Sequence, residues 1–299
     1  MSEQSDLISG RASASEPDGD GVRGRSPRGN MRERVRQVAL YGTAILFSLW
    51  VVAPIYFITV AAFSTVDDVY VYPKKLLPTN PSTETMEFFF RAGGTLDALR
   101  TSVWVAALTL IITLAVGVPA GYALARFVFR GSAAFRMGIV STRAFPIVIL
   151  SIPLAVTYLR LGIDDTAIGV AFTHTALALP FTVLVTSSVF ASISEELEEA
   201  AMTLGCSRLG AFRRVALPLA LPGLAAAAIF TFIISWNEVF AASILTLRNR
   251  TLTAQMLAVL NQSPLHFRFA GGFFLLAPAL VVVFIIRKYL FESFGRVSR

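Results

Sequence analysis

The apolar residues of this chain gather into blocks separated by short charged segments, and this arrangement constrains the fold more than any other feature. Each block is close to the 20 or so residues a helix needs to cross about 30 Å of hydrocarbon. Inside a bilayer every backbone N–H and C=O must find its partner within the protein, so such blocks can only be helices or strands of a closed barrel, and continuous apolar runs select the helix. Six blocks are present: Val38–Phe63, Leu99–Leu124, Met137–Leu159, Ile168–Phe190, Leu221–Ile244 and Gly272–Leu290. The expected fold class is therefore an all-α membrane protein with six transmembrane helices. Composition agrees, with 55% hydrophobic and only 15% charged residues among 299, against about 25% charged in a soluble domain. The first block lies too far from the start, and is too long, for a cleaved signal sequence, so it reads as an uncleaved span.

The net charge of +7 would point to nucleic acid only if Lys and Arg formed one patch. They lie between the blocks instead, so the lipid bilayer is the expected partner and nucleic acid is not. Their placement sets orientation. One side holds seven from Arg11 to Arg36, three after the second block, three after the fourth and four at the end. The other holds Lys74, Lys75, Arg91, Arg100, Arg160, Arg248, Arg250 and Arg268. Both termini are thus expected in the cytoplasm. Residues 1–37, rich in Ser, Gly, Asp and Arg, read as a disordered basic cytoplasmic tail. Residues 38–98 form the first span and an external loop, whose Phe88–Phe90 run rests either on the membrane surface or on a partner. Residues 99–299 form a five-helix core that includes a cytoplasmic loop at 192–218. Pro119, Pro146, Pro153, Pro180 and Pro278 interrupt or border the spans; they mark either a bundle that moves or encloses a path, or ordinary kinks. Cys206 is the single cysteine, so no internal disulfide can form.

The loop at 192–218 is the informative segment. Ser192 followed by Glu195 has the spacing of a capping box, and Leu197, Ala200, Ala201 and Leu204 recur at the interval of one helical face. Glu195, Glu196, Glu198 and Glu199 supply an acidic remainder that suits a helix start. Gly205 can end this helix, Ser207 can cap a second, and Leu209, Phe212 and Ala216 give the second an apolar face. The product is a two-helix elbow, acidic on one arm and basic on the other, whose small residues suit docking into a groove of another protein.

The pattern Glu199-Ala200-Ala201, Gly205, Val215, Leu217-Pro218 resembles the EAA motif of ABC importer permeases, the inner-membrane components of binding-protein-dependent transport. Tyr122-Ala-Leu-Ala-Arg126-Phe127 is similar to the family's AAYALARF segment, with Gly121 where Ala is usual. Ser235-Trp236-Asn237-Glu238-Val239 and Leu161-Gly-Ile-Asp-Asp165-Thr166 resemble the SWNEF and LGLxNT segments of carbohydrate permeases of the maltose-transporter second-subunit type. Two departures are Leu204-Gly205 where sugar permeases often have Asp-Gly, and a tail reduced to Phe294-Gly295-Arg296. The resemblance implies the type I ABC importer permease fold. It also implies a second permease subunit, two ATPase subunits that bind ATP and Mg on themselves, and an external solute-binding protein. Glu199, Ala200, Ala201, Gly205, Val215, Leu217 and Pro218 are the ATPase-coupling residues it implies, and a sugar is the cargo. A polyamine, anion or iron chelate, or a stand-alone secondary transporter, are the competing readings.

Polar groups inside spans are functional candidates by default. His174 lies about 12 Å into the fourth block at 1.5 Å per residue; it either donates to a sugar hydroxyl or bonds a neighbouring helix. Trp236 is a stacking platform or an anchor, and Asn237 and Glu238 line a cavity or hold helices together. Arg143 is close enough to the block's end to reach headgroups. A phosphate-binding loop needs a Lys after Gly, and none of Lys74, Lys75 and Lys288 follows a glycine. With no HExxH or GxSxG either, an enzyme is not expected; energy must enter through the elbow.

Overall fold

The apolar blocks lie largely on helix in the computed structural model, which describes residues 27–295 apart from 75, 78–79 and 128. Helix α1 (Pro27–Ala62) begins ahead of the first block, so residues 27–37 are helical rather than tail; residues 1–26 lie outside the described residues. Two short helices, α2 (Val66–Tyr70) and α3 (Glu84–Arg91), occupy the first loop. Then come α4 (Thr95–Arg126), α5 (Ser132–Ser141), α6 (Ile147–Leu161) and α7 (Ala167–Ala191). The elbow consists of α8 (Glu195–Thr203) and α9 (Arg208–Ala211), the latter running through a π-helical turn (Phe212–Ala216) into α10 (Leu217–Asn237). Helices α11 (Phe240–Leu245), α12 (Leu252–Val259) and α13 (Leu265–Gly295) complete the chain. The chain divides into two compact units at Val52/Ala53, within α1. The second unit holds the elbow and every other span.

Among the described residues five helices are long and apolar enough to cross a membrane, and a sixth span results if α5 and α6 count as one. The third span, expected as one helix, is broken: its halves meet at 88°. Pro146 explains the break, because a residue before proline is driven out of the helical region. Phe145 accordingly sits at φ −83°, ψ 120°. Pro119, Pro153, Pro180 and Pro278 lie inside continuous helices. Proline thus breaks one span, not five. The fifth span likewise ends at Asn237 rather than Ile244, and α11 follows as a separate short helix.

Helices α4 and α7 form the central pair, and α10 packs on both. Small residues allow this closeness, as they do wherever helices associate without a hydrophobic drive from water. A Cβ on Gly117 would lie 2.9 Å from Cγ2 of Thr182, and one on Gly121 would collide with Oγ1 of Thr186. That hydroxyl donates to the carbonyl of Gly117 at 3.1 Å. The aromatic run of the external loop packs against α13. Phe89 is fully buried, stacked 5.2 Å from Phe274 of α13, and Phe88 meets His266 at 4.5 Å.

Candidate functional site

The elbow forms where the sequence places it, two residues late. Ser192 closes α7, and Ser194 caps α8 by accepting from the N–H of Glu196 at 3.3 Å. The expected capping box at Ser192 is therefore absent. At the other end Gly205 takes φ +94°. The N–H of Gly205 donates to the carbonyl of Met202, and that of Cys206 to the carbonyl of Ala201, both at 3.0 Å. This pair of bonds is the Schellman closure, which places glycine at the left-handed residue. Ser207 then caps α9 through the N–H of Gly210 at 3.2 Å. Pro218 and Pro222 have no N–H to give, and the wider turn ahead of them carries the chain from the elbow into α10.

The elbow is inverted relative to a solvated hairpin. Leu204 is 87% exposed and Leu197 48%, Ala200 is exposed, and the acid Glu198 is only 5% exposed. Arg126, at the end of α4, accounts for that burial. Its Nε and Nη2 lie 2.8 and 2.7 Å from Oε1 of Glu198, and Nη2 donates to the carbonyl of Ile193 at 3.0 Å. The hydroxyl of Tyr122 donates to Oε2 at 2.5 Å. The ring of Tyr122 sits 4.5 Å from Phe212 and 5.3 Å from Phe190, above the buried cluster of Val118, Phe190, Ala216, Ala220 and Leu224. Glu195 stands 3.7 Å from Arg126 at the rim, and Arg208 lies over the ring of Phe127 at 5.2 Å. The two motif segments, at 122–127 and 199–218, thus meet in one place.

Of the sequence-derived coupling residues, Glu199, Ala200, Gly205 and Pro218 are exposed, while Ala201, Val215 and Leu217 are half-buried. Glu198, Arg126 and Tyr122 were not among them. The legible signal was the spacing of Tyr122 and Arg126, four apart on one helical face. Their pairing with one of four neighbouring acids, 72 residues on from Arg126, was not.

The candidate path residues fall differently. His174 is fully buried, with Nδ1 2.9 Å from Oγ of Ser235 and Nε2 3.2 Å from Oε2 of Glu238. Ser235 donates onward to Thr109 at 3.3 Å, so α4, α7 and α10 share one polar network. Glu238 also accepts from the N–H groups of Ala241 and Ala242, at 2.8 and 2.9 Å, and so caps α11. Trp236 is buried and its indole N–H donates to the carbonyl of Leu275 on α13 at 3.1 Å, an anchor rather than an open platform. Asn237 alone of the four is exposed, its amide donating to Ile233 at 3.1 Å. Arg143 is exposed in a 3-10 turn directly ahead of the break.

At the opposite end from the elbow, Asp165 takes a positive φ of 51°. Its carboxylate accepts from the N–H groups of Leu247, Arg248 and Asn249, at 2.8, 3.1 and 3.1 Å. The turn at 161–166 is therefore a lock between the ends of α6 and α11. Among the described residues no group of three or more His, Cys, Asp or Glu is placed to hold a metal ion.

The chain is similar to known proteins. Residues 117–295 match the family described as binding-protein-dependent transport system inner membrane component. The trehalose transport system permease protein SugB of Mycobacterium tuberculosis is 31% identical over 261 residues, covering 85% of this chain and 92% of SugB. The diacetylchitobiose uptake system permease protein DasC of Streptomyces coelicolor is 29% identical over 196 residues, covering 66% of this chain and 71% of DasC. A chain in the crystal structure of a bacterial ABC transporter that imports the acidic polysaccharide alginate shares the fold, with a TM-score of 0.69 at 23% identity, over 88% of this chain and 98% of that one. With well over half its length inside the family match, and the two motif segments joined in the fold, the chain belongs to the inner membrane components of binding-protein-dependent transport systems, the permease subunits of ABC importers.

Proposed function

We propose that this permease carries a carbohydrate as one of a pair of permease subunits, and that its elbow seats on one of two separate ATPase subunits that bind ATP and Mg. The observation that carries the coupling role is the inversion of the elbow. Its one buried acid is consumed inside the chain, while Leu197, Ala200 and Leu204 face outward with Glu199 beside them. An apolar face of that kind on a protruding helix suits a groove in a partner. A small polar contact would not serve, because inverting a 1:99 equilibrium between two states takes about 5.5 kcal/mol of differential binding. The carbohydrate reading is supported by relatives named for trehalose and diacetylchitobiose and by the Ser235–Val239 segment. Within that segment Asn237, exposed at the end of α10, is the residue on offer to a cargo. The Lys and Arg asymmetry supports cytoplasmic termini, with the elbow on the same side.

The test is co-purification from mild detergent. The tagged chain is expected to retain an ATPase with a phosphate-binding loop and a second permease, and Glu199→Lys to lose the ATPase. Vesicles holding the intact complex should take up a labelled disaccharide when ATP and the external binding protein are supplied. A chain that purifies alone, or wild-type uptake in Glu199→Lys, overturns the coupling role; uptake of a polyamine but of no sugar overturns the cargo.

A further inference from the structure

The elbow is covalently joined to α7 on one side and to α10 on the other, yet its buried acid reaches a third helix. Glu198 and Arg126 have side chains only 7% and 8% exposed, and Glu198 uses both carboxylate oxygens, one toward Arg126 and the other toward Tyr122. Charge-assisted bonds of this kind are short and directional. Arg126 also grips the chain between α7 and α8, through the carbonyl of Ile193 at 3.0 Å. Both donors stand on the last turn and a half of α4. That same helix meets α7 at Gly117 and Gly121, where side chains and backbone leave no slack.

We propose that Glu198 is a positioning residue for coupling: its clamp on Tyr122 and Arg126 makes α4 follow the elbow, so that a push on α8 reaches the central helix pair. This rests on the reading that the elbow seats on an ATPase. Without the clamp, the ion pair left between α8 and α4 is the exposed one of Glu195 with Arg126 at 3.7 Å, and a push can be absorbed by the turns at Ser192–Ser194 and Gly205. With it, α8 and α4 move as one body. Glu198 is thereby distinct in role from its neighbour Glu199, which is exposed.

The experiment uses the whole complex in vesicles and reads two quantities, ATP hydrolysed and cargo taken up. Glu198→Gln keeps the side chain's size but removes the charge and replaces one accepting oxygen with a donating amide; Tyr122→Phe keeps the ring against Phe212 and Phe190 and removes one bond. Both are expected to co-purify with the ATPase and to hydrolyse ATP. Uptake per ATP should fall roughly tenfold in Glu198→Gln, within the usual range of coupling between sites, and by a smaller factor in Tyr122→Phe. Because both act through one link, the double variant should fall no further than Glu198→Gln alone. Unchanged uptake per ATP in Glu198→Gln overturns the proposal. So does a parallel loss of assembly, hydrolysis and uptake, which would make the clamp a folding contact only. A wild-type chain that recovers no ATPase overturns the coupling reading itself and this role with it, and the wild type alone reports that outcome.

Discussion

A methyl group added at position 121 would collide with Oγ1 of Thr186 and sit 2.8 Å from the backbone nitrogen of Ser187. The first contact is with a side chain already fixed by its bond to Gly117, and the second with backbone, so neither can yield cheaply. Overpacking of this kind costs about 1–3 kcal/mol. Gly121→Ala is therefore expected to lower the melting temperature of the detergent-solubilised protein measurably. Thr186→Ala in the same chain should restore part of the loss but not all, since the Ser187 nitrogen stays in place. A melting temperature unchanged in Gly121→Ala would mean that α4 and α7 are not this close. Residue-level contacts also define the surroundings of His174. Its position in an apolar span marked it as functional, but a ring with both nitrogens engaged between Ser235 and Glu238 ties helices together. Periodicity could place His174 on a helix; which atoms its ring meets depends on residues 61 and 64 positions away.

Among the elements, the elbow shows which local rules hold by themselves. The bend is written in Gly205, whose φ of +94° strains any side chain, and a Cβ there would meet nothing within 4 Å. The penalty for substitution is then purely conformational, about 1–2 kcal/mol for a left-handed L-residue, and smaller for Asn, which tolerates that region. Gly205→Val is expected to weaken retention of the ATPase in co-purification more than Gly205→Asn, with the rest of the fold intact by circular dichroism. Equal retention by both would show that the angle between the two arms does not matter. The start of α8 was less legible, because Ser192 and Ser194 both precede acids at workable spacing and only Ser194 has extended backbone. The break in the third span was half legible. Pro146 was visible among five prolines near spans, but only the packed structure distinguishes the proline that turns the chain by 88° from those carried inside continuous helices.

Across the molecule, the loops sort to two ends. The end of α4 meets the elbow through Arg126 and Glu198, while the turn after α6 meets the segment after α11 through Asp165. Alternate connections thus meet at opposite ends, as a chain that crosses back and forth requires. Cys206, the single cysteine and half-buried, lies in the elbow and so reports its side directly. A membrane-impermeant maleimide is expected to label the chain in inside-out vesicles and not in intact cells. Labelling of intact cells would place the elbow outside and overturn the orientation.

The order of residues alone was enough for the helical type of the crossings, their orientation as an expectation, the elbow and its glycine bend, and the family resemblance. Each of these rests on residues close together in the chain, where hydrocarbon thickness, backbone hydrogen bonding and the left-handed region act locally. The packed fold was needed to select which of four adjacent acids is buried, to explain glycine at 121, and to lay the aromatic run of the first loop on α13. It was needed, too, to turn three of the four path candidates inward. Those are contacts between residues tens of positions apart, and their chemistry follows from which helices lie side by side.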